Sequence, residues 1–140
     1  MSMSAVEAQA PGWAVELPDE GATDALGALI AEELRRGDLV ALSGELGAGK
    51  TALARAVVRA LAGDPNLEVP SPTFTILQTY DAPAGPVVHA DFYRLAGPDE
   101  LPEIGFAEAA DAGIALVEWP ERVAAALPAS RLEVRLTGAD

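Results

Sequence analysis

The stretch Leu39-Val-Ala-Leu-Ser-Gly-Glu-Leu-Gly-Ala-Gly-Lys-Thr51 decides how this chain folds. It begins inside Asp38–Ser43, where Leu39, Val40, Ala41 and Leu42 make the uninterrupted apolar run expected of a strand buried on both faces. It leads into Thr51–Ala62, where Leu53, Val57 and Leu61 recur at helical spacing on one side while Arg55 and Arg59 occupy another. Gly63 and Pro65 close that helix. Between strand and helix, Gly44, Gly49, Lys50 and Thr51 satisfy G-x-x-x-x-G-K-[ST], in the strand–turn–helix context the pattern requires. Glycines at Gly44, Gly47 and Gly49 accept positive φ and let the backbone wrap closely around a ligand. The N–H groups of such a loop point inward, and the helix behind adds the positive end of its dipole. Gly44, Glu45, Leu46, Gly47, Ala48, Gly49, Lys50 and Thr51 are therefore the expected phosphate cradle of a nucleoside triphosphate. Lys50 is expected to reach the β- and γ-phosphates and Thr51 to ligate Mg²⁺.

Lys50 is the single lysine among nine basic residues. A chain that otherwise uses arginine carries a compact ammonium where one must fit between phosphate oxygens. A triphosphate site also needs an acidic residue near the metal, at the C-terminal end of a neighbouring strand. Val87-Val-His-Ala-Asp91 and Ile114-Ala-Leu-Val-Glu118 both run apolar into a carboxylate. Asp91 and Glu118 are thus candidates for catalysis and for Mg²⁺, one holding the ion and the other the attacking water, and the residues leave open which does which. Ser71-Pro-Thr-Phe-Thr75 sets three hydroxyls in a proline-stiffened loop, and Ser71 and Thr73 are candidates for a γ-phosphate-sensing switch. His89 shares a strand face with Asp91 and reads as a hydrogen-bonded structural residue.

Outward from this centre, strands alternate with helices. Met1–Gly12 reads as a loose start and Trp13–Leu17 as a short strand. A helix capped by Asp19 or Thr23 follows, its apolar face made of Leu26, Leu29, Ile30 and Leu34, and it ends at Arg35-Arg36-Gly37. Thr73–Tyr80 and Val87–Tyr93 flank a turn at Asp81–Pro86 and are expected to pair antiparallel. Pro98–Ala110 and Glu121–Leu127 read as short helices, and Ile114–Trp119 and Arg131–Leu136 as strands. The pattern predicts one domain over residues 1–140: a three-layer α/β fold of the P-loop NTPase type with a mixed parallel and antiparallel sheet.

Composition narrows the chemistry. Without cysteine there is no disulfide, no thiolate metal site and no cysteine nucleophile, and one histidine excludes a multi-histidine centre. A formal net charge of −13 argues against direct binding to a nucleic-acid backbone, so a role in an RNA pathway would pass through a partner protein. Met1–Pro11 has neither a basic start nor a long apolar run, so it is not expected to act as a secretory signal, no stretch approaches bilayer length, and the expected location is the cytoplasm.

GELGAGKT at Gly44, SPTFT at Ser71, HADFYRL at His89 and VEWPER at Val117 occur together in one order. In that combination the chain resembles the TsaE (YjeE) family of bacterial ATPases over nearly its whole length, from Leu17 onward. The resemblance implies an ATPase with Mg²⁺ as cofactor, serving threonylcarbamoyladenosine formation in tRNA through TsaB and TsaD proteins, with tRNA reached only indirectly. It implies that Thr51 and Glu118 approach Mg²⁺ and that Asp91 supports the same site. It also implies that Trp119 lies beside the site and that Leu17–Glu20 lies near the nucleotide base. Three rivals stand beside this reading: a small P-loop kinase for a small-molecule acceptor, a GTPase switch, and a nucleotide-gated binding module with negligible hydrolysis. A kinase normally adds an acceptor pocket and an arginine-bearing lid, for which 140 residues leave little space. Guanine selectivity normally uses Asn-Lys-x-Asp, and the one lysine is already committed to phosphate.

Overall fold

Among the described residues, seven strands form one sheet in the order β2-β1-β7-β3-β6-β5-β4. They are β1 (Met3–Ala8), β2 (Ala14–Leu17), β3 (Leu39–Ser43), β4 (Leu77–Tyr80), β5 (Val87–Asp91), β6 (Ile114–Glu118) and β7 (Leu132–Ala139). The helices are α1 (Glu20–Glu33), α2 (Lys50–Ala62), α3 (Leu101–Ile104) and α4 (Phe106–Ala112). This computed structural model describes residues 3–8, 14–45, 49–72 and 75–139.

The four central strands β7, β3, β6 and β5 run parallel, and β4 joins β5 antiparallel, as the turn chemistry predicts. β1 pairs antiparallel with both β2 and β7. Alternation of side chains along the strands divides the core into two layers. Val40, Leu42, Val87, Leu116, Val134 and Leu136 face α1 and α2, packing on Leu26, Ile30, Leu53 and Val57. Leu39, Ala41, Val88, Ala90, Ala115 and Val117 face the other way, against Leu101, Phe106, Val123 and Leu127. The Phe92 and Phe106 rings meet edge to face at 5.2 Å in that second layer. The three-layer α/β arrangement with a mixed sheet is the expected one.

Several local expectations need correction. Part of Met1–Gly12, read as loose, is strand β1, which finds donors and acceptors on two neighbouring strands. Asp19, not Thr23, caps α1: its carboxylate accepts from the Ala22 N–H at 2.8 Å. Leu29 is 61 % exposed, because the buried stripe of α1 runs through Leu26, Gly27 and Ile30. The strand expected from Thr73 starts at Leu77, after Ile76 takes a left-handed φ of 68°, and Thr73 and Phe74 lie outside the described residues. The region 98–110 is divided by Gly105 into α3 and α4. The helix expected over 121–127 is two 3₁₀ turns, Pro120–Arg122 and Ala124–Ala126, because Val123, at φ −136° and ψ 21°, leaves helical geometry between them.

Candidate functional site

β3 delivers the chain to Gly44, and α2 restarts it at Lys50. Gly44 and Gly49 have φ of 140° and 102°, and Gly49 caps α2 from the left-handed region, which explains the glycine there. Leu46, Gly47 and Ala48 lie outside the described residues. Lys50 is 5 % exposed. Its ammonium donates to the carbonyls of Gly44 and, at 2.8 Å, Glu45. It also sits 4.3 Å from the centre of the Trp119 ring. Burial lowers the Lys50 pKa from the ordinary lysine value, and Glu118, Glu121 and Asp91 oppose that shift by attraction.

Thr51, in the first turn of α2, donates its hydroxyl to Glu118 Oε1 at 2.9 Å and Oε2 at 3.1 Å. Glu118 is the last residue of β6 and only 2 % exposed. In the β5–β6 register Asp91 lies opposite Glu118, so both candidate carboxylates end adjacent parallel strands. Both project to the side of the sheet that α2 covers, as do Val87, four residues before Asp91, and Leu116, two before Glu118. The Asp91 carboxylate accepts the Tyr93 N–H at 2.9 Å. Burial pushes the Asp91 pKa up, the Tyr93 hydrogen bond pulls it down, and the neighbouring Glu118 pushes it further up.

His89, read as structural, makes a contact that sequence reasoning missed: its Nε2 lies 2.6 Å from Glu118 Oε2. The period-two alternation that puts His89 on the Asp91 face was the available signal.

The remaining candidates divide. Trp119 lies in the site, at φ 57°, with its ring 4.9 Å from that of Tyr93, and Arg122 stands 5.5 Å from the Tyr93 ring centre. Glu20 lines a cavity of about 900 Å³ together with Leu17, Asp19, Gly49, Ala52 and Arg55, where the start of α1 meets the start of α2. That places the Leu17–Glu20 segment beside the loop. Ser71 is exposed. The end of its loop does reach the site, since the Asp91 N–H donates to the Ile76 carbonyl at 2.8 Å. Arg55 and Arg59 tether the preceding segment by donating to the carbonyls of Val69 and Leu67 at 3.0 and 2.8 Å.

The donor set fits Mg²⁺. Among the described residues no three His, Cys, Asp or Glu side chains form a metal cluster. Mg²⁺ does not need one, because it takes one or two carboxylates and completes its shell with water and substrate phosphates. The Thr51 hydroxyl can offer a lone pair to a cation while its O–H still donates to Glu118, so their hydrogen bond is compatible with an ion at Thr51.

Comparison with known proteins converges on one group. The family model described as threonylcarbamoyl adenosine biosynthesis protein TsaE matches residues 17–140. The tRNA threonylcarbamoyladenosine biosynthesis protein TsaE of Rickettsia conorii is 40 % identical over 124 residues, covering 89 % of this chain and 70 % of that protein. Its namesake in Streptomyces coelicolor is 41 % identical over 116 residues, covering 79 % and 76 %. The crystal structure of Bacillus subtilus YdiB superposes with a TM-score of 0.68 at 31 % identity, covering 87 % of this chain and 74 % of that one.

Proposed function

This chain belongs to the TsaE family, and from that premise we propose that it binds and hydrolyses Mg²⁺-ATP in the formation of threonylcarbamoyladenosine in tRNA, acting through TsaB and TsaD proteins. The observation that carries the reading is the junction of Thr51 with Glu118: the hydroxyl that opens the loop's helix meets a buried carboxylate at the end of the adjacent strand.

The chain's own residues divide the work. Lys50, already buried and desolvated, exchanges the Gly44 and Glu45 carbonyls for phosphate oxygens, which attract its charge more strongly. Thr51, Glu118 and Asp91 would hold Mg²⁺, which when bound neutralises charge on the phosphate oxygens. Glu118 is spent on the ion through its junction with Thr51, and Asp91, opposite it in the β5–β6 register, also orients a water for in-line attack at the γ-phosphorus. The cavity beside Glu20 and Gly49 has room for a nucleoside. The net charge of −13 disfavours direct contact with tRNA, which supports transmission through partner proteins. The expected location is the cytoplasm, where tRNA and ATP are both present, and no helix among the described residues is long and apolar enough to cross a membrane.

Phosphate release tests this directly. Slow, Mg²⁺-dependent release of inorganic phosphate from ATP is expected alone, faster release with TsaB and TsaD, and none from Lys50→Ala. A Lys50→Ala protein that supports tRNA modification as well as the wild type, despite losing nucleotide binding, would defeat the reading.

A further inference from the structure

We propose that His89 is a positioning residue that fixes the Glu118 carboxylate in the orientation a divalent cation at Thr51 requires. This rests on the reading of Thr51 and Glu118 as the cation-holding pair.

His89 occupies the middle of β5 and is 0 % exposed, with Val87, Val88 and Ala90 around it on the strand. An imidazole buried among such residues costs free energy unless its polar atoms are satisfied. Only one of them is: Nε2 meets Glu118 Oε2 at 2.6 Å, whereas Nδ1 has no hydrogen-bond partner among the described residues. The asymmetry fixes the tautomer. A carboxylate only accepts, so the other tautomer would set the Nε2 lone pair against Glu118 and also strand a buried N–H at Nδ1, at about 1–3 kcal/mol. The proton therefore sits on Nε2 and is donated to Glu118.

The second donor matters because of what Glu118 does with the first. Thr51 reaches both carboxylate oxygens from α2, but a single hydroxyl leaves the carboxylate free to pivot about it. His89 approaches from β5. The strand register puts it opposite Leu116, so the imidazole extends two residues along β6 to reach Glu118. Donors from two separate elements fix both the position and the plane of the carboxylate. A ligand held in this way loses less freedom when a cation arrives.

The experiment measures Mg²⁺ affinity, with Mn²⁺ as a paramagnetic probe, in protein saturated with a non-hydrolysable ATP analogue. The proteins are wild type, His89→Ala, His89→Gln and His89→Asn. A Gln side chain carries its amide N–H near the place of Nε2, whereas Asn carries it near Nδ1. Ala and Asn are expected to weaken the cation by about 10- to 100-fold, and Gln to stay within about threefold of wild type. Metal-free analogue binding serves as the internal reference. Equal cation affinity in wild type and His89→Ala overturns the positioning role alone, as does equal loss in Gln, Asn and Ala, which would signal lost packing. A wild type that binds no Mg²⁺ with nucleotide sinks this inference together with the Mg²⁺-ATP reading. The single histidine gives one set of ¹⁵N imidazole signals, so even without a folded Ala variant a proton found on Nδ1 would refute the proposal.

Discussion

Replacing Thr51 by Val keeps the side chain's shape and removes one hydrogen-bond donor to Glu118. The hydroxyl donates to a buried carboxylate at 2.9 and 3.1 Å, and a hydrogen bond to a charged group contributes about 1.5–3 kcal/mol. The incoming methyl recovers less than about 0.8 kcal/mol, because Thr51 is only half-buried. A net loss of about 1–2 kcal/mol follows for the ligand-free protein. For 140 residues at about 2.1 cal/mol/K each, that lowers Tm by about 3–7 °C. Thr51→Ser, which retains the donor, should lose less. Urea unfolding of Thr51→Val, Glu118→Gln and the double variant completes a thermodynamic cycle, with a coupling of about 1 kcal/mol expected. A coupling below about 0.3 kcal/mol would mean that the two groups do not sense each other in solution. The junction on which the functional reading rests would then be wrong.

Three further outcomes are expected. Gly113→Ala should cost at least the upper end of the about 1–3 kcal/mol range for overpacking, measured by urea unfolding, because its Cβ would fall 1.7 Å from the Pro86 carbonyl oxygen, a backbone atom no rotamer change can move. In ¹⁵N-lysine NMR the one Lys50 signal should titrate below the free-lysine value, since burial disfavours the charged form; added ATP should move it upward, because phosphate favours that form. A pKa unmoved by ATP would separate Lys50 from the phosphates. Leu29→Gln, at a position 61 % exposed, should change stability by no more than about 0.5 kcal/mol in the same unfolding assay.

The parts legible in the sequence are those where one residue type has one physical use. A four-residue apolar run, a glycine-rich turn and a lone lysine placed β3, the loop and α2 with little ambiguity. Asp91 and Glu118 were legible as carboxylates ending apolar runs, and the register sets them side by side. What stayed hidden depends on tertiary distance. Leu29 fits the helical period as well as Ile30 does, and only the packing angle of α1 on α2 decides which is buried. Val123 splits a helix-like composition into 3₁₀ turns, while the left-handed Trp119 before them brings its indole over Lys50. The His89–Glu118 contact spans 29 residues and two strands, which no local pattern reports.

Register is the step at which this sequence becomes a site. Pro86 and Gly113 stand where the β5 and β6 backbones first come together, with the Ile114 N–H donating to the Pro86 carbonyl at 3.0 Å. From that contact the strands run parallel for five residues, Val87 opposite Ile114 through to Asp91 opposite Glu118. A one-residue slip of β6 would turn Glu118 to the α4 side, into the layer of Val88, Ala90 and Phe106, and present Val117 to Thr51. The slip is opposed at both ends: by the Pro86–Gly113 approach, which only a missing side chain permits, and by the Thr51 and His89 donors on the carboxylate. The polar contacts at the strand ends and the closest packing at the strand starts therefore enforce the same alignment. Weakening the alignment at Gly113 should consequently disturb Glu118, although about 16 Å of strand separates them, at roughly 3.3 Å per residue.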